Sequence, residues 1–206
     1  MTTERELLRA HELAVWRGER CLFEQLHFEL RTGQLALLIG PNGSGKTTLL
    51  RILAGLAEPT AGAVTWNGTA IAALDAEERG ALAYRGHLEA LKRELTVTEN
   101  LEFHAALWGT RRDFAGVLGE LRLDVAANMR VRYLSAGQRR RAALATLQVS
   151  DAKLWLLDEP TTNLDAEGRL LLREWTRRHL AAGGLAVIAT HQPDEFAGPG
   201  VLMVEL

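Results

Sequence analysis

The sequence predicts an α/β fold with a mainly parallel core sheet, an antiparallel β layer beside it and a helical insert. Three observations carry this. Short all-apolar runs at Leu35 to Ile39, Leu154 to Leu157, Leu185 to Ala189 and Val201 to Val204 are separated by helical stretches, the pattern of parallel strands joined by crossover helices. Two segments with turn signals inside them, Glu12 to Leu30 and Gly62 to Ile71, read as hairpins. From residue 95 to 134 apolar residues recur at helical spacing.

In chain order, Leu13, Val15, Leu22, Phe23, Leu26, Phe28 and Leu30 are the apolar positions of a hairpin that turns at Arg17-Gly18-Glu19. Arg31-Thr32-Gly33 then turns into the strand Leu35 to Ile39. A glycine-rich loop follows, and Leu49 to Leu56 is a helix stopped by Gly55 and Pro59. Asn67-Gly68 marks the turn of the second hairpin. Thr98-Glu99-Asn100-Leu101 opens the helical insert, Ser135 to Val149 is a further helix, and Arg169 to Leu180 is the crossover between the strands at 154 and 185. No repeat or low-complexity segment interrupts the 206 residues, which are expected to be one domain with a helical subdomain over roughly 90 to 150.

Apolar residues make up 47% and charged residues 24%, with a formal charge of −2, which disfavours disorder and gives no long-range attraction to nucleic acid. The run Arg139-Arg140-Arg141 reads as a solvated helix face. Cys21 is the only cysteine, which suits a reducing compartment, and reads as a packed residue. The N-terminal residues lack a signal-peptide core and no apolar run approaches membrane-spanning length, so the expectation is a cytosolic chain that does not cross a membrane.

The chemistry is concentrated at a few places. Gly40-Pro41-Asn42-Gly43-Ser44-Gly45-Lys46-Thr47-Thr48 fits G-x-x-x-x-G-K-[ST] between a strand and a helix. Glycines there let the backbone curl until several N–H groups face one polyphosphate; Lys46 reaches its β- and γ-phosphates and Thr47 presents a hydroxyl to Mg²⁺. Asp158 and Glu159 emerge from the apolar run Leu154 to Leu157, at the strand edge where ligands bind. Asp158 is placed to hold Mg²⁺, and Glu159, projecting the other way, to polarise water for attack on the γ-phosphate. Thr190-His191 follows the next strand in the same topological place, so His191 is a second catalytic candidate, as a hydrogen-bonding contact to the γ-phosphate. Leu134-Ser135-Ala136-Gly137-Gln138 opens a helix with Ser135 as N-cap, and reads alone either as an anion site or as a capped helix start.

Taken in order, the phosphate loop, L-S-A-G-Q, L-W-L-L-D-E-P, T-T-N-L-D and T-H resemble the ATP-binding cassette family along essentially the whole chain. The resemblance implies a P-loop NTPase fold of the ABC ATPase type, ATP and Mg²⁺ as ligands, and ATP hydrolysis. It further implies a two-fold dimer in which Leu134 to Gln138 of one copy covers the ATP held by Gly40 to Thr48 of the other, with Asp165 communicating across the interface. It also implies that Trp16 stacks on adenine, as an aromatic near this position does in the family; filling the core is the other reading. Two positions depart from the pattern. His87 stands where the family has a glutamine that meets Mg²⁺ and water, and is the candidate for that place; Ala136 replaces the commoner glycine. R-G-H at Arg85 to His87, L-x-R-E-L-T-x-x-E-N-L ending at Leu101, L-S-A-G-Q-R-R-R and T-H-Q-P resemble the CcmA group, the cytochrome c biogenesis ATPases of a haem exporter. That implies integral CcmB-like and CcmC-like membrane subunits, a peripheral place on the cytoplasmic face of the bacterial inner membrane, and no nucleic-acid partner. ATPases of other exporters, such as multidrug or lipoprotein systems, and soluble mechanical or regulatory ATPases are the alternatives.

Overall fold

A computed structural model describes residues 7–86, 90–110 and 113–206. Strands β1 (Leu7–Arg17) and β2 (Arg20–Arg31) form the first hairpin, in which Trp16 pairs with Cys21 across a turn made by Gly18, at φ 61, and Glu19. β3 (Leu35–Ile39) leads through the glycine-rich loop into α1 (Lys46–Leu53). β4 (Ala61–Trp66) and β5 (Thr69–Ala70) flank Asn67-Gly68, both left-handed at φ 50 and 88 as a tight two-residue hairpin turn requires. Then come α2 (Ala76–Gly80), β6 (Leu82–Arg85), α3 (Val97–Leu107), α4 (Phe114–Glu120), α5 (Ala136–Gln148), β7 (Leu154–Asp158), α6 (Ala166–Ala181), β8 (Leu185–Ala189) and β9 (Leu202–Glu205).

The strands form two sheets: an antiparallel one of order β2-β1-β4-β5 and a parallel one of order β6-β7-β8-β3-β9. All pairings in the second are parallel, and its central strands are apolar at nearly every position because helices or the other sheet cover both faces. Alternation divides its side chains between two cores. Leu37, Trp155, Leu157 and Ile188 point to one face and pack with Leu101, Leu144, Leu172 and Trp175 of the helices. Leu38, Leu156 and Val187 point to the other and pack with α1 and the antiparallel layer, through Leu50, Leu53, Leu8 and Leu30. The predicted parallel sheet, β layer and helical insert are therefore all present.

Several boundaries move. α1 begins at Lys46 rather than Leu49, because the phosphate loop supplies its N-terminus, and it stops at Leu53; Gly55 then turns left-handed (φ 69) and Leu56 N–H donates to the Arg51 carbonyl at 2.8 Å. α6 begins at Ala166, three residues earlier than its apolar spacing suggested, because Asp165 caps it by accepting from Gly168 N–H at 3.0 Å. The stretch from 95 to 134 is broken into α3 and α4 followed by turns, with Thr96 and Glu99 forming a reciprocal cap at the start of α3. β6 and α2 were not anticipated; both are too short for periodicity to signal them. Cys21 is half-buried, and desolvation followed by the charge of Glu24 pushes its thiol up.

Candidate functional site

The parallel sheet places β7, β8 and β3 side by side, so the residues following their C-terminal ends converge. Asn42, Gly43 and Gly45 to Thr48 of the loop, Asp158 with Glu159, and His191 meet at a cavity of about 630 Å³. Gly40, Gly43 and Gly45 have φ 144, 79 and 114, values that side-chain-bearing residues rarely adopt. The space is also restricted: a Cβ on Gly45 would lie 3.0 Å from the ring of Phe23, and one on Gly40 would collide with the Leu206 carbonyl oxygen. Lys46 is 7% exposed, and its ammonium donates to the carbonyls of Gly40 (2.7 Å) and Pro41 (3.0 Å), which holds it across the loop. The Ser44 hydroxyl is buried and has no hydrogen-bond partner among the described residues. Free N–H groups of the first turn of α1, a fixed ammonium and an unsatisfied hydroxyl suit a polyphosphate.

The two adjacent carboxylates separate as the sequence suggested. Asp158, 2% exposed, accepts from the Thr47 hydroxyl at 2.8 Å. A hydroxyl and a carboxylate so joined are a hard oxygen pair that fits Mg²⁺ when phosphate oxygens complete its shell. Glu159 instead approaches His191, with Nε2 and Oε1 3.3 Å apart; the alignment is not that of a hydrogen bond, and Oε1 is buried with no donor among the described residues. A carboxylate oxygen of that kind is an available proton acceptor.

Arg17, Arg20 and Arg51 complete the wall, so four cations including Lys46 face the two carboxylates. Arg17 donates to the Thr48 hydroxyl and Arg20 to the Gly43 carbonyl, each at 3.2 Å, tying the hairpin tip to the loop. The sequence reading treated Arg17 only as a turn residue. Its role is not encoded locally, because it depends on how the antiparallel layer docks against the loop. Trp16, in contrast, does not line the cavity; it is 45% exposed, which excludes the core-filling alternative.

The L-S-A-G-Q segment lies outside this cavity. Ser135 accepts from Gln138 N–H at 3.2 Å while the Gln138 side chain accepts from Ser135 N–H at 2.9 Å, a reciprocal cap that begins α5. Ala136 is the first residue of that helix and has no positive φ, so its Cβ is accommodated. The basic run is not a solvated face. Arg139 donates to the Leu134 carbonyl, Arg140 is 8% exposed and donates to the Glu159 carbonyl at 2.7 Å, and Arg141 pairs with Asp165. The Gly168 amide, and then Arg141, hold the Asp165 carboxyl below the usual carboxylate range. His87 lies outside the described residues. Its neighbour Arg85 sits in the seam between sheet and helices, donating to Thr146 Oγ1 at 2.8 Å and lying over Trp108; burial pushes its guanidinium down to about 10.

A smaller cavity of about 290 Å³, lined by Trp155, Trp175 and His179, opens at the opposite edge of the sheet, away from the loop. Among the described residues no helix is long and apolar enough to cross a membrane.

Residues 23–162 match the family model described as ABC transporter. The chain is 45% identical to the cytochrome c biogenesis ATP-binding export protein CcmA of Nitrosomonas europaea, over 91% of this chain and 89% of that protein. It is 46% identical to the CcmA protein of Rhodospirillum rubrum, over 94% of this chain and 84% of that one. Among solved structures, an ATP-binding subunit of an ABC transporter superposes with a TM-score of 0.86 at 26% identity, covering 97% of this chain and 85% of that one. A second, the ATP-binding protein of a transporter from Pyrococcus furiosus, has a TM-score of 0.82 at 22% identity with 97% of both chains covered, and speaks to the fold.

Proposed function

The chain belongs to the ABC transporter family, and from that premise we propose that it is the ATP-hydrolysing subunit of a cytochrome c biogenesis transporter that handles haem. The observation that carries the chemistry is the meeting of the phosphate loop, the Thr47–Asp158 pair and the Glu159–His191 pair in one cavity.

The loop and Lys46 bind the triphosphate; Arg17 and Arg20, at the hairpin tip, keep the loop in register with the β layer. Thr47 and Asp158 would hold Mg²⁺, which when bound offsets charge on the β- and γ-phosphate oxygens. Glu159 orients a water and takes its proton, and His191 hydrogen-bonds the γ-phosphate from the adjacent strand end. Hydrolysis of this kind depends on positioning and charge compensation more than on covalent chemistry by the protein.

In this reading, as the family resemblance implies, a complete site takes two copies: the helix of one, with Leu134 to Gln138, closes over the nucleotide of the other, with Asp165 beside that contact. Two-fold pairing completes both sites at once. Trp16, exposed at the hairpin, is the aromatic available to the base. Residues 90 to 150 are the helical subdomain of a single cassette. The relatives named CcmA are export proteins of cytochrome c biogenesis, and the partners we assign are CcmB-like and CcmC-like subunits at the cytoplasmic face of the inner membrane.

Glu159→Gln tests the chemistry. Closure does not need the base, so ATP affinity is expected to persist and ATP-dependent dimers to last longer, while steady-state hydrolysis falls by about 10²-fold or more. Wild-type turnover by this variant would sink the assignment. Mass spectrometry of membrane proteins retained by the tagged chain tests the partners; recovery of a different exporter's subunits would redirect the reading.

A further inference from the structure

Glu159 occupies the left-handed region at φ 47, a conformation that a residue with a Cβ holds only where its surroundings over-determine it. Three hydrogen bonds do so. Its N–H donates to the Ala189 carbonyl at 3.0 Å, and its carbonyl accepts from Thr162 N–H at 3.2 Å; these come from the neighbouring strand and from the turn itself. The third comes from a different element. Arg140, in the second turn of α5 and 8% exposed, donates from Nη2 to the same carbonyl at 2.7 Å. The guanidinium donates to the main-chain carbonyl, which fixes the residue's direction, while among the described residues Oε1 has no hydrogen-bond donor.

We propose that Arg140 is a positioning residue that sets the backbone of Glu159 according to how the Ser135-capped helix is seated. The inference rests on the reading above, in which α5 of one copy covers the nucleotide of the other while Glu159 acts on the nucleotide of its own loop. Arg140 then connects the two sites of a pair: when α5 settles on the partner's ATP, the base of its own chain is brought to its working orientation. Arg141 reinforces the connection from the next position, because its pairing with Asp165 ties α5 to the start of α6.

The test uses the full chain in single-turnover ATP hydrolysis, with ATP affinity measured in parallel by equilibrium titration. Arg140→Gln should lower the hydrolysis rate by about tenfold while ATP affinity moves less than about twofold, since Arg140 does not line the nucleotide cavity. Arg140→Lys, which keeps a cationic donor, should recover part of the rate, and carries the test if the glutamine variant does not fold. The same Arg140→Gln change made on Glu159→Gln should cost less than about twofold, because two residues acting through one another are not additive. Equal rates for Arg140→Gln and the unsubstituted chain would overturn the inference. So would a tenfold loss in both backgrounds, or a rate loss matched by lost affinity, either of which marks a general structural role. An unsubstituted chain that binds no ATP would overturn the proposed function itself.

Discussion

Thr47→Val separates what the phosphate loop contributes to the fold from what it contributes to the metal. Valine keeps the shape and removes the hydroxyl that donates to Asp158 at 2.8 Å. Asp158 is 2% exposed at the end of a central strand, so a lost donor is poorly replaced by solvent. Leaving a buried acceptor short of a partner costs about 1–3 kcal/mol. In a chain of 206 residues each kcal/mol shifts the melting temperature by about 2–4 °C, so a fall of about 2–12 °C is expected at neutral pH without nucleotide. The second effect is separable. ATP bound without magnesium should hold nearly as well as in the unsubstituted chain, because the loop amides and Lys46 remain. The added affinity on supplying Mg²⁺ should shrink by about tenfold or more, since one of the oxygen pair is gone. Thermal unfolding followed by circular dichroism, with ATP titrations in the presence and absence of Mg²⁺, measures both. An unchanged melting temperature together with an unchanged Mg²⁺ increment would refute the argument.

Gly45→Ala forces a Cβ to within 3.0 Å of Phe23 at a backbone φ of 114, so both stability and ATP affinity should drop; about 1–3 kcal/mol is expected from overpacking alone, and wild-type melting and binding would contradict it. Gly116→Ala is the opposite case: it lies inside α4 with open space around it and no positive φ, so the melt should rise by about 0.5–1 kcal/mol equivalent. Burial pushes His104 and His179 below the ordinary histidine value, with Arg85 adding to the effect on His104. The unfolded chain therefore binds more protons than the native one once the pH falls below about 6.5, and stability declines from there toward the depressed folded values. The pH dependence of the melt between pH 7.5 and 5.5 should flatten in His179→Gln; an identical slope would count against His179 as a contributor.

What could be read along the chain was whatever neighbouring residues encode by themselves. The glycine spacing at 40 to 48 together with a preceding apolar strand indicated the phosphate loop, Ser135 its helix cap, and the all-apolar runs a sheet covered on both faces. Helix starts at Lys46 and Ala166 were less legible, because a loop and a capping aspartate, rather than apolar periodicity, set them. β6 is four residues long and gains its identity from pairing with β7.

The residue types of the site were thus determined by the sequence, down to Lys46, Asp158, Glu159 and His191. Only the tertiary structure decided which way they face and what else reaches them. Thr47 and Asp158 are 111 positions apart, Arg17 and Thr48 31, Arg140 and Glu159 19. Such contacts arise from strand order and sheet docking, which no local pattern contains. For the same reason Arg139-Arg140-Arg141 looked like a surface: a charged run is exposed unless acceptors elsewhere in the fold are presented to it, and here the Leu134 and Glu159 carbonyls and the Asp165 carboxylate are.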